Sequence, residues 1–250
     1  MHTALIYPPD LHHLFQDQEY HLVLAHLFPH KKYRDFVRTL KGYKILDSGS
    51  AEGAPISGRE LIEIAWTWEV NEVIVPDVYN GHYRDNLDLA VDFERHIVPD
   101  FKYMGAVQGH GIEEVMACLN GFSFLEYITT IGLPRNLNRD NKQDRTFIAQ
   151  DVIPKWTEGR FESVHCLGCS EWVREVALLS MDGVRGIDTS MPVKLGLDYR
   201  YLGGIASYTP SPTTDEYFLA DYDLDDLQRG FIERNVELFR TWAATPSGEL

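Results

Sequence analysis

The sequence predicts an α/β protein, a TIM-like (β/α)8 barrel with an incomplete or irregular last unit. Three observations predict it. Strand-like apolar runs alternate with segments of helical periodicity, the pattern of repeated βα units on a parallel sheet. Four of the runs empty into polar groups: Lys44-Ile-Leu-Asp47-Ser-Gly49, Val73-Ile-Val-Pro-Asp77, Tyr103-Met-Gly-Ala-Val-Gln108-Gly109 and Gly186-Ile-Asp188-Thr-Ser-Met-Pro192. A carboxylate or carboxamide at a strand's carboxyl end stands on the face where α/β barrels build their active sites. Finally, 250 residues with 44% hydrophobic content suffice for one core of this kind.

Taken in order, strands are expected at His21–Leu27, Tyr43–Asp47, Glu72–Val75, Tyr103–Gln108, Tyr127–Ile131, Ser163–Leu167 and Val184–Asp188. Tyr199–Ile205 is the candidate for an eighth, and the first twenty residues are expected to cap the barrel from below. Ser57-Gly-Arg-Glu60 has the spacing of a capping box and opens a helix to about Trp68. Asn86–Ile97, Ile112–Asn120 and Glu171–Ser180 carry apolar residues at helical spacing. Pro134–Arg145, rich in Asn, Arg and Asp, reads as a polar loop at the active-site face. No repeat or linker divides the chain, so one domain spans 1–250, its end (196–250) an acidic helical region.

The formal charge of −15 argues against nucleic acid as a partner unless positive charge is gathered locally. It is gathered in two clusters: one includes Lys31, Lys32, Arg34, Arg38 and Lys41, the other Arg135, Arg139, Lys142 and Arg145. These could line one groove. Three cysteines are too few for a disulfide framework, the amino end lacks a signal peptide's pattern, and no run approaches a membrane span. A soluble protein of a reducing, cytoplasmic compartment is expected, with no membrane contact.

In their order, the strand ends resemble the tRNA-guanine transglycosylase superfamily, including phage relatives that place 7-deazaguanine bases in DNA. The resemblance covers roughly residues 20 to 195. Leu46-Asp47-Ser-Gly49 resembles the family's Thr-Asp-Ser-Gly-Gly, Val107-Gln108-Gly109 its Val-Gln-Gly, and Ile131-Gly132-Leu133 its Gly-Gly-Leu. Cys166-Leu167-Gly168 resembles its Leu-Met-Gly, and Asp188-Thr-Ser-Met-Pro192 its nucleophile segment.

The resemblance implies an enzyme that exchanges guanine in a polynucleotide for a modified purine on the same sugar. Asp188 is then the nucleophile, splitting the displacement into two steps through a covalent sugar intermediate. Asp47 is the proton donor and acceptor for the bases. Asp77 accepts from N1–H and the exocyclic amine of guanine, and Gln108 donates to its carbonyl. Ser48 belongs to the same base-binding set, with Gly132 and Leu133 as backbone close to the base and Leu167 as its apolar floor. Each lone Asp also has a plainer reading as a cap or turn residue; it is their joint order that argues for chemistry.

Where the family carries a stacking aromatic, this chain continues as Ser50-Ala51, which leaves Tyr79 or His110 as replacements. The family's zinc cluster is not evident after Asp188. Cys166 and Cys169 with His165 beside them could suggest metal, but buried reduced thiols are the better reading, so neither metal nor cofactor is expected. The histidines near the amino end, His12 and His13 among them, read as surface or loop residues, and Trp66 and Trp68 as helix packing. A chain shorter than the tRNA-acting members favours DNA, with the basic clusters holding its backbone and the guanine flipped out to react. The expected partners are DNA, a free 7-deazaguanine such as preQ0 and further proteins, in the host cytoplasm if the gene is carried by a phage. RNA exchange, or a catalytically silent base-binding barrel, is the alternative.

Overall fold

Eight parallel strands form the sheet in a computed structural model that describes residues 1–53, 56–135, 137, 145–149, 153, 159–169, 175–176, 179–180, 183–204 and 213–245. They are β1 (His2–Leu5), β2 (Tyr20–Leu24), β3 (Tyr43–Asp47), β4 (Glu72–Ile74), β5 (Lys102–Ala106), β6 (Ile128–Pro134), β7 (Ser163–Leu167) and β8 (Val184–Thr189). The order β1-β8-β7-β6-β5-β4-β3-β2 makes a nearly closed TIM-like barrel, with Ala4 opposite Asp188 in the β1–β8 ladder. The seam lies between β1 and β2. There a side chain replaces the ladder: buried Gln18 donates through Nε2 to Leu5 O (3.2 Å) and to His21 Nδ1 (3.1 Å).

Two expectations are corrected. The first twenty residues are not simply a cap, because His2–Leu5 is a barrel strand; four residues with two polar ones carry no apolar run to read. Tyr199–Ile205 is not the eighth strand. Leu202–Gly204 is a 3-10 turn, and Leu202 N–H donates to Asn235 Oδ1 at 2.7 Å.

Helices α1 (Lys31–Thr39), α2 (Gly58–Thr67), α3 (Tyr83–Phe93) and α4 (Ile112–Ser123) follow β2 to β5 in turn. Ser57 caps α2 by accepting from Glu60 N–H, as the spacing predicts. Most of the expected Glu171–Ser180 helix lies outside the described residues. After β8 come α5 (Met191–Leu197), α6 (Asp215–Leu219) and α7 (Asp226–Ala244), the last opened by a full capping box between Asp225 and Gln228. On α7, buried Asn235 donates to Pro192 O (3.2 Å) and Arg200 O (2.9 Å), which fixes α5 directly behind the end of β8. Among the described residues no helix is long and apolar enough to cross a membrane.

Polar residues fill the amino-terminal end of the barrel interior. Tyr20, Tyr43 and Glu72 begin their strands and meet Arg185 there; Glu72, fully buried, accepts from Arg185 Nη2 (2.5 Å) and from Tyr43 OH (3.2 Å). A buried charge left unpaired would be costly, and this pairing removes that cost.

Candidate active site

At the opposite end, a cavity of about 360 Å³ opens at the carboxyl edge of the strands. Asp47, Asp77, Gln108, Leu167 and Asp188 all border it. Period-two alternation and parallel pairing bring these residues from five strand ends to one place. Glu52, Tyr79, Arg135 and Gly168 complete much of the wall.

Asp188 is buried, and each of its oxygens faces a nitrogen. His165 Nε2 lies 3.2 Å from Oδ1, and Gly168 N–H donates to Oδ2 at 3.0 Å. The following segment is fixed as well: Thr189 Oγ1 accepts from Met191 N–H at 3.0 Å as the chain turns into α5.

Asp47 receives Gly49 N–H at 3.3 Å. Burial, followed by the charges of Glu52 and Asp77, pushes its carboxyl well above the ordinary carboxylate range, with Asp188 adding to the effect. A shift in this direction favours the protonated carboxyl, the form that a general acid uses. Asp77 is raised as well, mainly by burial, while hydroxyls of Ser50 and Ser48 and the Gln108 amide oppose the shift. Gln108 Nε2 donates to Asp77 Oδ2 at 2.6 Å, and buried Asn86 clips the Asp77 loop by accepting from Val78 N–H (3.3 Å) and donating to Ala106 O (2.8 Å). Asp77 and Gln108 thus form one preset pair of acceptor and donor.

The remaining predicted site residues divide. Ser48 is buried behind Asp77, its hydroxyl 2.9 Å from that of Ser50, and does not border the cavity. Nor do Gly132 and Leu133. A Cβ on Gly132 would stand 2.9 Å from Leu167 and 3.0 Å from the Met104 sulfur, so the glycine lets Leu167 reach the wall. Tyr79 borders the cavity, whereas His110 does not.

The two basic clusters do not form one free groove. Arg145 is fully buried: it pairs with Glu175 (2.5 Å) and donates to Leu133 O (2.9 Å), Leu167 O (3.0 Å) and Gly168 O (2.5 Å). The reading of Arg145 as a polynucleotide contact is therefore corrected. Lys32 is corrected too, since Asp10 and Asp221, each 2.9 Å away, and the Ala220 carbonyl (2.8 Å) hold its ammonium. Lys31 is exposed and pairs with Asp35 one helical turn on. Arg139 and Lys142 lie outside the described residues. Arg135 stands at the cavity mouth, and among the described residues no ion pair holds it.

Three residues of the site were not singled out from sequence. Glu52 reaches the mouth from the loop after β3; desolvation there, then the charges of Asp188 and Asp77, raises its carboxyl, with Arg135 opposing. Lys194 on α5 lies over the Tyr217 ring at 5.3 Å, and burial, then the nearby Arg135 charge, lowers its pKa. It adds a second cation beside Arg135. In the sequence His165 stands out as a companion of the cysteines, although a histidine inside an apolar strand run is itself a signal.

The thiols do not fit the family's zinc site. Cys118, Cys166 and Cys169 are free and buried, burial pushes Cys118 up to about 11 and Cys166 to about 12, and Cys169 donates to Glu175 at 3.5 Å. Among the described residues no group of three or more His, Cys, Asp or Glu side chains is set to hold a metal ion.

Asp47 gives a stability prediction. Its folded pKa is raised, so between the unfolded value of about 3.9 and the folded one the native state binds more protons and stability falls as pH rises. Asp47→Asn removes that cost: Tm rises at pH 7 to 8, by about 2–4 °C per kcal/mol gained, and the gain vanishes near pH 4. Thermal melts across that range check it. An equal gain at all pH values would place the effect elsewhere.

Compared with known families and curated proteins, the chain matches no family model and no curated relative.

Proposed function

We propose that the protein is a DNA-guanine transglycosylase that exchanges guanine for a 7-deazaguanine base, preQ0 or a derivative. The observation that carries the reading is the convergence of Asp188, Asp47, Asp77 and Gln108 on one cavity, with the Asp47 carboxyl raised and Gln108 held on Asp77. The Asp188 carboxylate attacks the sugar's anomeric carbon from the face opposite guanine. The bond to N9 breaks as Asp47 gives its proton to the departing base. In the second half, Asp47 takes the N9 proton of the incoming base, N9 attacks the same carbon, and the Asp188 ester bond breaks. Two inversions leave the sugar's configuration unchanged.

Recognition follows from the preset pair. Asp77 accepts from the N1–H and amine edge that guanine and 7-deazaguanines share and adenine lacks, and Gln108 donates toward the carbonyl. Leu167 and Tyr79 offer apolar and aromatic surface for stacking, worth roughly 1–3 kcal/mol per base. Arg135, with Lys194 beside it, faces the place where the flanking phosphates of a flipped nucleotide would lie.

The test is incorporation of labelled guanine and of preQ0 into duplex DNA and into unmodified tRNA, run beside an Asp188→Ala protein. Label in DNA that depends on Asp188 supports the reading. Label in tRNA alone moves the protein to the RNA branch, and label in neither removes the reading. A separate prediction concerns Arg135→Glu. Polynucleotide affinity falls roughly tenfold at low salt and the salt slope shrinks by about 1 or more, with a smaller change for free guanine. Titration at several salt concentrations checks it; equal losses for both ligands would remove Arg135 from the polynucleotide contact.

A further inference from the structure

His165, fully buried on β7, touches the carboxylate read above as the nucleophile, and its ring is held from the opposite end of the barrel. Its Nδ1 lies 3.0 Å from the Tyr20 hydroxyl on β2, and Arg185 Nε donates to that same hydroxyl oxygen at 3.0 Å. Donor counting fixes the direction of the chain. A guanidinium has no acceptor, so the Tyr20 oxygen accepts from Arg185; among the described residues His165 is the hydroxyl's only other partner, so its single proton points to Nδ1. Burial raises the Tyr20 phenol, which keeps that proton in place. With Nδ1 accepting, the imidazole carries its proton on Nε2 and donates it to Asp188 Oδ1.

We infer that His165 is a positioning residue for Asp188: a neutral Nε2–H donor whose tautomer is set by Tyr20 and Arg185. The role rests on the nucleophile reading above. A neutral donor fixes one oxygen of the carboxylate while leaving its negative charge on the attacking group, whereas an imidazolium would hold it as a tight ion pair. Gly168 N–H fixes the other oxygen, so the carboxylate plane is set before substrate arrives.

The charged and titratable groups around the ring are few. Asp188 faces Nε2 from β8, Tyr20 faces Nδ1 from β2, and Arg185 on β8 stands one contact further, paired with Glu72 on β4. Gly186 shows that space has been kept for this contact. A Cβ there would lie 2.8 Å from the Tyr20 ring, 3.0 Å from its hydroxyl and 3.1 Å from His165 Nδ1, so a side chain at 186 would wedge the pair apart.

The experiment reads the tautomer and the chemistry separately, on the whole protein. In protein labelled with ¹⁵N-histidine, long-range proton–nitrogen spectra at pH 7.5 are expected to show His165 protonated at Nε2 and bare at Nδ1. The signal is assigned by its loss in His165→Gln. Tyr20→Phe removes the donor to Nδ1 and is expected to shift the ring away from that single tautomer and lower kcat for base exchange about tenfold. KM for the free base changes less than threefold. His165→Leu is expected to lower kcat at least a hundredfold, and His165→Gln, whose amide still donates to Asp188, to recover tenfold or more of that loss.

An imidazolium or an Nδ1–H tautomer in the wild-type spectrum overturns the inference whatever the activity. So does a Tyr20→Phe protein with unchanged spectrum and kcat, or equal losses in the Leu and Gln variants. If wild-type protein exchanges no base in DNA or tRNA, the nucleophile reading fails, and with it the positioning role, even where the tautomer is as described.

Discussion

Replacing Asp188 with alanine is expected to lower base exchange by about 10⁴-fold or more and to remove any covalent adduct with the polynucleotide. The substitution deletes the atom that bonds to the sugar, and no neighbouring carboxylate can take over. Burial and the charges of Glu52 and Asp77 keep the Asp47 carboxyl raised, which suits it to proton transfer rather than attack, and Asp77 is engaged by Gln108. Alanine also strands two donors, the imidazole and the Gly168 amide, at about 1–3 kcal/mol for each unsatisfied group. Asp188→Asn is therefore the better-matched partner, since it keeps one acceptor in place. Adduct trapping on denaturing gels, with turnover measured alongside, reads both variants; turnover above one-thousandth of wild type in either would end the assignment.

The second large effect falls on stability. Arg145→Met leaves Glu175 charged and buried without this partner and takes a donor from three carbonyls at the ends of β6 and β7. Breaking such a pair from one side costs about 3–5 kcal/mol, which for a chain of this size lowers Tm by roughly 6–20 °C. Arg145→Met combined with Glu175→Leu is expected to recover most of the loss, because an apolar pair of similar volume carries no desolvation cost. Denaturant melts of the two variants decide it. A single variant as stable as wild type would mean the guanidinium is not structural.

The contrast between these residues shows what could be read from the sequence. The strands β2 to β8 are legible because each is a largely apolar run bounded by turn residues, and the strand-end carboxylates because a polar group closes their runs. Strand β1 was not, since its burial comes from pairing with β8 and not from its own composition. Arg145 reads like any basic residue in a polar stretch until Glu175, thirty positions later, is known to face it. Lys32 is similar, its partners lying at Asp10 and Asp221, far away on either side in sequence. Clusters along a sequence thus overstated the free positive surface, because charge pairing over distance leaves no local mark. Adjacency of Ser48 to Asp47 likewise says nothing about the side on which its hydroxyl lies, which is toward Ser50 and Asp77.

The pairing of β1 with β8 sets an order of events in folding. During synthesis β1 emerges first, yet its ladder partner is the last strand of the barrel, so the earliest segment must wait for nearly the latest. Closing so long a loop is slow, and contacts of this separation form late. Asp188 sits opposite Ala4 in that ladder, which ties this cavity carboxylate to the final closure step. A nascent chain therefore carries an open barrel, and the cavity wall that Asp188 supplies takes its final place only when β1 has joined β8.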